Sequence, residues 1–293
     1  METTRKKRKS LMSILEPYLF VLPACACFAM FMFYPFFKTI YLSLYTTNKL
    51  GQARIFKGLG NYTKLFTSSI FHTVLINTFI LALIVIVFSL LIGFLIANLA
   101  NVKGRAFKIF TYFYSLPLAV SSASMALVFK KMLAPATGLA SRLLGININF
   151  FTDPKYALAT IGVLTVWLNL GINFIFINAG LQNVPADLYE SAEIDGANGF
   201  KKMTAITIPS ISPILFFMLI MDIISAFQSF AQVNVITEGG PGDATNVMVY
   251  NIYRDAFFNF KFGYAAAQSV ILFLIILLIT LIQFKYEKKM VNY

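Results

Sequence analysis

The sequence predicts an all-α, polytopic membrane protein with six transmembrane helices. Three observations predict it. Of the 293 residues, 58% are hydrophobic and only 12% charged, whereas a soluble domain carries roughly 25% charged residues. The apolar residues gather into six runs, at 18–37, 73–99, 109–129, 157–181, 212–230 and 265–284, each near the ~20 residues that cross a bilayer's hydrocarbon core. The charges lie almost wholly between those runs. Without water in the core to satisfy backbone groups, such runs must be helices.

The first run follows Arg5, Lys6, Lys7, Arg8 and Lys9, as a cleaved secretion signal would, and Leu22-Pro23-Ala24-Cys25 resembles a lipoprotein cleavage site. The run is longer than a signal's apolar region, and Pro23 suits cleavage poorly, so an uncleaved first helix is expected. Cys25 and Cys27 inside it fit neither a zinc spacing nor a disulfide framework. Six spans place both termini on one side. If that side is cytoplasmic, the inside segments hold 13 Lys and Arg in 65 residues and the outside segments 11 in 96. The denser positive charge, above all the cluster before the first run, orients both termini to the cytoplasm of a multi-pass cell-membrane protein. The net charge of +12 is thereby assigned to loops and lipid headgroups rather than to nucleic acid. The expected organisation is a basic cytoplasmic N-terminus at 1–17, one six-helix membrane domain at 18–284 and a cytoplasmic C-terminus at 285–293.

Between the fourth and fifth runs, the loop 182–211 is unusually polar. Pro185 suits a first helical turn, Asp187 and Glu190 favour the positive end of the helix dipole, and Gly196 suits a left-handed stop. A helix of about ten residues is expected there, then a second over 199–206, with Pro209 and Pro213 marking re-entry to the membrane. So short a helix is unstable alone in water. Leu188, Ala192 and Asp195 share a side, and small Ser191 and Ala192 permit close approach. Resting on headgroups explains the amphipathicity, but anionic lipid would repel Asp187, Glu190 and Glu193. A protein partner bearing basic residues fits better.

The loop also carries a resemblance. Glu190-Ser191-Ala192, three residues, Gly196, nine residues, then Ile206-Thr207-Ile208-Pro209 resembles the E-A-A-x3-G-x9-I-x-L-P loop of ABC importer permeases, with Ser191 and Ile208 departing from it. Residues Tyr189 to Ala197, Thr237-Glu238-Gly239-Gly240-Pro241, Gly58-Leu59-Gly60-Asn61-Tyr62 and Ala266-Ala267-Gln268-Ser269 are similar to the carbohydrate-uptake branch, including multiple-sugar and sn-glycerol-3-phosphate permease subunits. The resemblance implies a type I importer permease fold. It implies that 182–211 is a coupling loop through which a separate cytoplasmic ATPase dimer grips this chain, using Glu190, Ser191, Ala192, Asp195, Gly196, Ile206 and Pro209. It further implies a second homologous permease, an extracellular solute-binding protein docking near Gly239, Gly240 and Pro241, and a sugar as the small-molecule substrate, with sn-glycerol-3-phosphate as the alternative.

No cofactor is expected on this chain. None of the 16 glycines precedes a lysine, so no phosphate-cradling P-loop exists, and ATP and Mg belong to the ATPase. With one histidine, His72, and no nucleophile or metal cluster, a non-catalytic subunit is expected. An ion-coupled carrier would show inverted repeats and several intramembrane charges, whereas Asp222 is the one carboxylate in the six runs. On an ideal helix Asp222, Ser225, Gln228, Ser229 and Gln232 share an arc of about 120°, and polar residues inside spans usually face the bundle interior. Gln228 and Ser229 are candidates for the substrate pathway, as are Asn169 and Asn173 near Trp167. Asp222 is a further candidate for that pathway, and hydrogen bonding between helices is the open alternative for Asn169, Asn173 and Asp222.

Overall fold

The computed structural model describes residues 11–100, 112–145 and 148–291. The basic cluster at 5–9 and the start of the third apolar run lie outside them. Helices dominate. Helix α1 (Leu11–Phe28) passes through a π turn (Ala29–Phe33) into α2 (Tyr34–Ser43). A hairpin of β1 (Tyr45–Thr47) and β2 (Ala53–Phe56) leads to α3 (Gly60–Phe66) and the long α4 (Ser69–Ala100). Next come α5 (Ser122–Met132), α6 (Leu139–Leu144), α7 (Pro154–Gln182), α8 (Ala186–Ile194) and α9 (Gly199–Lys202). A π turn (Met203–Thr207) joins α9 to α10 (Ile208–Phe227), and α11 (Ala231–Ile236), α12 (Met248–Tyr253) and α13 (Phe262–Met290) follow.

Among the described residues, five helical stretches are long and apolar enough to cross a membrane, or six if one bent pair counts as a single span. That pair corrects the straight third helix expected at 109–129. The chain bends by 109° between 112–119 and Ser122–Met132, because Pro117 lies in a short 3-10 turn and Val120 and Ser121 are extended. A proline removes a ladder donor and clashes with the preceding turn, and no regular helix survives those extended residues.

The short helix expected over 199–206 is not separate from the span that follows. The helix runs from Gly199 through Met203–Thr207 into α10. In the π turn the bonds reach back five residues, Ile208 N–H to the Met203 carbonyl, and this wider turn accommodates Pro209. Pro213, inside α10, has no N–H for the Pro209 carbonyl. The hydroxyl of Ser212 donates to that oxygen instead, at 2.7 Å, so the group is not left bare inside the membrane.

The strands, absent from the expected all-α reading, form a two-stranded antiparallel hairpin pairing Tyr45 with Phe56 and Thr46 with Ile55. Its turn is built by Asn48, whose side-chain oxygen accepts from Leu50 N at 3.1 Å and Gln52 N at 2.9 Å. Asn61 ties α3 to this end of α2, donating to the carbonyls of Ser43 and Tyr45, and Tyr62 reaches the Ser43 hydroxyl at 2.7 Å.

Helix α4 packs along α7, with α10 and α13 completing the bundle. Without a hydrophobic drive between helices in lipid, small residues that permit close packing decide such contacts. A Cβ on Gly93 would lie 2.8 Å from Asn173 Cβ, and one on Gly162 would lie 2.9 Å from Ile84. The main core joins Leu81 and Val85 of α4, Ile161 of α7, Ile223 and Phe227 of α10 and Ile271 of α13. A second cluster, Ala97, Phe174, Ile177, Leu181, Ile211 and Met218, fills the end nearer α8. Residues 18–42 of the first span include no buried residue.

Candidate functional site

The polar loop forms a short helix standing off the bundle. Helix α8 spans Ala186–Ile194, has no buried residue and begins after Pro185 with Asp187 in its first turn. It ends in a two-bond cap. Ala197 N donates to the Ala192 carbonyl at 2.9 Å and Gly196 N to the Glu193 carbonyl at 3.0 Å. Gly196 is left-handed, with φ of 71°, a conformation costly for any residue with a Cβ. Asn198 caps the next helix, its side chain accepting from Lys201 N at 2.8 Å.

Two contacts brace α8. The Tyr189 hydroxyl lies 2.9 Å from that of Thr207 in the π turn, and Lys202 Nζ is 2.8 Å from Glu193 Oε1. The Lys202 ammonium holds the exposed Glu193 carboxyl below the usual carboxylate range. Glu190, Ser191, Asp195 and Gly196 are exposed and Ala192 half-buried. Leu188, Ile194 and Phe200 are exposed too, Ile194 at 88%. Ile206 and Pro209 are half-buried where the helix enters the bundle. The braces hold a rigid, largely acidic and apolar face away from the membrane helices.

The second place is the contact between α7 and α10. Asn173 Nδ2 donates to Asp222 Oδ1 at 2.9 Å and to the Asn169 carbonyl at 3.1 Å. Ser225 Oγ donates to Asn169 Oδ1 at 3.3 Å. Asn173 and Asp222 are 0% and 1% exposed. Asn169 Nδ2, Asn173 Oδ1 and Asp222 Oδ2 find no protein partner among the described residues. The stripe expected beyond Ser225 does not continue on one helix, because α10 ends at Phe227 with Gln228 as its cap. Gln228 lies instead, with Ser269, Phe273 and Thr280 of α13, on a cavity of about 360 Å³. Ser229 is buried and donates to the Ser225 carbonyl at 3.4 Å, while Gln232 is buried in α11.

The third place is at the opposite end of the bundle from α8. Gly239, with φ of 80°, packs so tightly that a Cβ would meet Tyr250 at 2.6 Å, and the Gly240–Pro241 bond is cis. The loop is held by side chains that sequence reasoning passed over. Thr245 Oγ1 donates to the Gly240 carbonyl at 2.6 Å. Asn77 of α4 donates to the carbonyls of Asp243 and Asn246, at 2.9 and 3.2 Å. Arg254 Nη1 lies 2.7 Å from Asp243 Oδ1. Asn251 donates to Gln268 Oε1 at 2.7 Å, Gln268 to Asp255 Oδ2 at 2.7 Å and Asn259 to Asp255 Oδ1 at 2.8 Å. Only Gln268 figured in the sequence reading, within a matched tetrapeptide. Asn77, an amide near the start of an apolar run, was the one available signal for the rest.

A bundle of spanning helices, with a braced polar helix at one end and a tied loop at the other, is an arrangement that fits a transport permease. A profile for the inner membrane component of binding-protein-dependent transport systems matches residues 89–292. The chain belongs to that family, and is a multi-pass membrane permease of the ABC importer class. It is 32% identical over 281 residues to the sn-glycerol-3-phosphate transport system permease protein UgpA of Yersinia pestis bv. Antiqua (strain Antiqua), covering 94% of this chain and 95% of that one. It is 32% identical over 283 residues to the protein of the same name from Agrobacterium fabrum (strain C58), covering 94% and 96%. Among solved structures, a chain of a bacterial alginate ABC transporter, in complex with an alginate pentasaccharide-bound periplasmic protein, superposes with a TM-score of 0.83. It has 22% identity, over 95% of this chain and 97% of that one. A chain of an amino acid ABC transporter with histidines reaches a TM-score of 0.53 at 18% identity, over 79% of this chain and 96% of that one. These two likenesses concern the fold.

Proposed function

We propose that this chain is the non-catalytic membrane subunit of a sugar importer, driven by an ATPase on another chain. The observation that carries the reading is α8, a helix with no buried residue that is nevertheless capped and doubly braced. A displacement applied to it passes through Tyr189–Thr207 and Glu193–Lys202 into the continuous helix entering α10. A loose loop would absorb that displacement. The exposed Leu188 and Ile194 are apolar anchors for a groove, and Glu190 presents a carboxylate to a basic residue there. In this reading ATP and Mg bind the partner ATPase, α8 and both termini are cytoplasmic, and a second permease shares the translocation path. The 1–17, 18–284 and 285–293 divisions follow from it. An external binding protein meets the end carrying Gly239, Gly240 and Pro241.

Within the path, half-buried Asn169 and exposed Gln228 are the residues best placed to meet a solute. Buried Asp222 and Asn173 join α10 to α7, and buried Ser229 bonds back to the Ser225 carbonyl. A neutral sugar suits a route in which 156–182, 203–236 and 262–284 contain no Lys or Arg. The second reading, sn-glycerol-3-phosphate, is favoured by the names of the relatives at 32% identity.

The test uses the assembled transporter. Glu190→Lys is expected to abolish transport-coupled ATPase activity, or to release the ATPase during purification. Full-rate transport by that variant, following a proton gradient, would sink the reading. Ligand binding to the cognate external protein separates sugar from sn-glycerol-3-phosphate.

A further inference from the structure

At the end of the bundle opposite α8, the hairpin, α3, the 243–260 segment and the start of α13 enclose a cavity of about 660 Å³. Its wall holds four cations, Lys57, Lys64, Arg254 and Lys261, and two carboxylates, Asp243 and Asp255. The planar polar groups are already spent on one another. Arg254 is engaged by Asp243 and Asn251. Asp255 receives Gln268 on one oxygen and Asn259 on the other. The Asn61 amide is used by two backbone carbonyls, and Thr47 Oγ1 accepts from Gly263 N.

Ammonium groups are what remains. Among the described residues the ion pairs are Lys202–Glu193 and Arg254–Asp243, so Lys57, Lys64 and Lys261 face the cavity without a carboxylate of their own. Lys64 Nζ sits 5.7 Å above the Tyr264 ring, a contact that leaves its N–H donors available. Once Arg254 and Asp243 cancel, three ammoniums stand against one carboxylate that is itself satisfied by amides. Lys261 is also the cap of the 29-residue helix α13, whose positive dipole end opens on the same cavity.

We propose that this cavity binds an anion: a phosphate or carboxylate group carried by a small solute arriving at this face. Three strong donors with no acceptor select charge, and a cavity of this size has room for the organic body attached to it. Because 156–182, 203–236 and 262–284 contain no Lys or Arg, a charged solute meets its counter-charges here, before entry. The proposal takes from the preceding reading only which face is external. Anion binding itself stands whichever substrate is carried.

The experiment measures acetylation rates of individual lysines by mass spectrometry, on the assembled transporter in phosphatidylcholine nanodiscs. Inorganic phosphate is compared with chloride at equal ionic strength. Phosphate is expected to slow Lys57, Lys64 and Lys261 but not the exposed Lys131 and Lys155. Lys64→Gln should raise the phosphate needed to protect Lys57 and Lys261 about tenfold, the loss of one charged hydrogen bond, and Lys64→Arg should not. Equal slowing of all five lysines, or none, overturns the proposal. So does protection that requires phosphatidylglycerol in the nanodisc and is not produced by phosphate, since the cations would then belong to a lipid headgroup. Because the native protein carries the main readout, a poorly folding variant does not remove the test.

Discussion

At the scale of single residues, Gly196 is the sharpest case. Its φ of 71° is unsuited to other residues, yet a Cβ there would touch nothing within 4 Å. The cost of Gly196→Ala is therefore one of backbone conformation alone, about 1–2 kcal/mol. It should loosen the end of α8 without disturbing the bundle. Faster amide exchange over 189–198 with an unchanged unfolding temperature is expected, together with weaker coupling of ATP hydrolysis to transport. The Glu193–Lys202 brace carries a pH dependence of definite sign. The folded pKa of Glu193 is lowered, so its contribution is present above the ordinary carboxylate pKa and is lost as pH falls through the lowered value. Being fully exposed, it contributes little at any pH. Lys202→Met should remove the acid-side change in exchange over 197–202, and leave neutral-pH behaviour close to wild type. The left-handed stop at Gly196 was legible from the sequence. The Tyr189–Thr207 and Asn173–Asp222 partnerships were not, because they join residues 18 and 49 positions apart, and spacing on one helix says nothing about the facing one.

At the scale of elements, proline is the teacher. Pro209 and Pro213 read as the re-entry to the membrane after a separate short helix, yet the structure passes one helix through both. The compensations are local: a π turn before Pro209 and a serine hydroxyl on the carbonyl that Pro213 leaves free. Ser212→Ala should cost about 1–3 kcal/mol, the penalty for a buried unsatisfied acceptor, read as a lower unfolding temperature in detergent. Ser212→Ala with Pro213→Ala should recover most of it, because alanine restores an N–H for the Pro209 carbonyl. If the double variant were less stable than the single, this account of the pair would be wrong. Long apolar runs were legible because twenty greasy residues leave the backbone one option. The bend at 116–121 was not, since hydropathy averages over the few residues that break the helix. The hairpin escaped notice because its strands of three and four residues are too short to show alternation.

At the scale of the whole molecule, the bundle is packed on one side and bare on the other. The first span offers Phe20, Leu22, Phe31 and Phe37 to its surroundings, and α13 exposes Leu274, Leu278 and Leu281. Such surface suits lipid or a second permease. Orientation is checked by fusions. A green fluorescent protein at the C-terminus should fluoresce, and an alkaline phosphatase inserted at Gly242 should be active, whereas the reverse pair would invert the topology. Family membership was legible through the twenty-residue loop together with the short segments at 58–62, 237–241 and 266–269. The polar network at the far end was not, because Asn77 and Asp243 meet across 166 positions and no local pattern links them.

The π turn at Met203–Thr207 has a further consequence. Such a turn holds one residue more than an α-helix requires, which offsets the helix beyond it by about 100°. It thus sets the angular phase between Lys202, the anchor of α8 that precedes the turn, and the edge of α10 that carries Asp222 and Ser225. Removing one residue there would leave both ends chemically intact but turn Asp222 more than a quarter-turn from Asn173. One surplus residue of backbone acts as the key on the shaft, fixing how a push received at one end is clocked against the polar seam at the other.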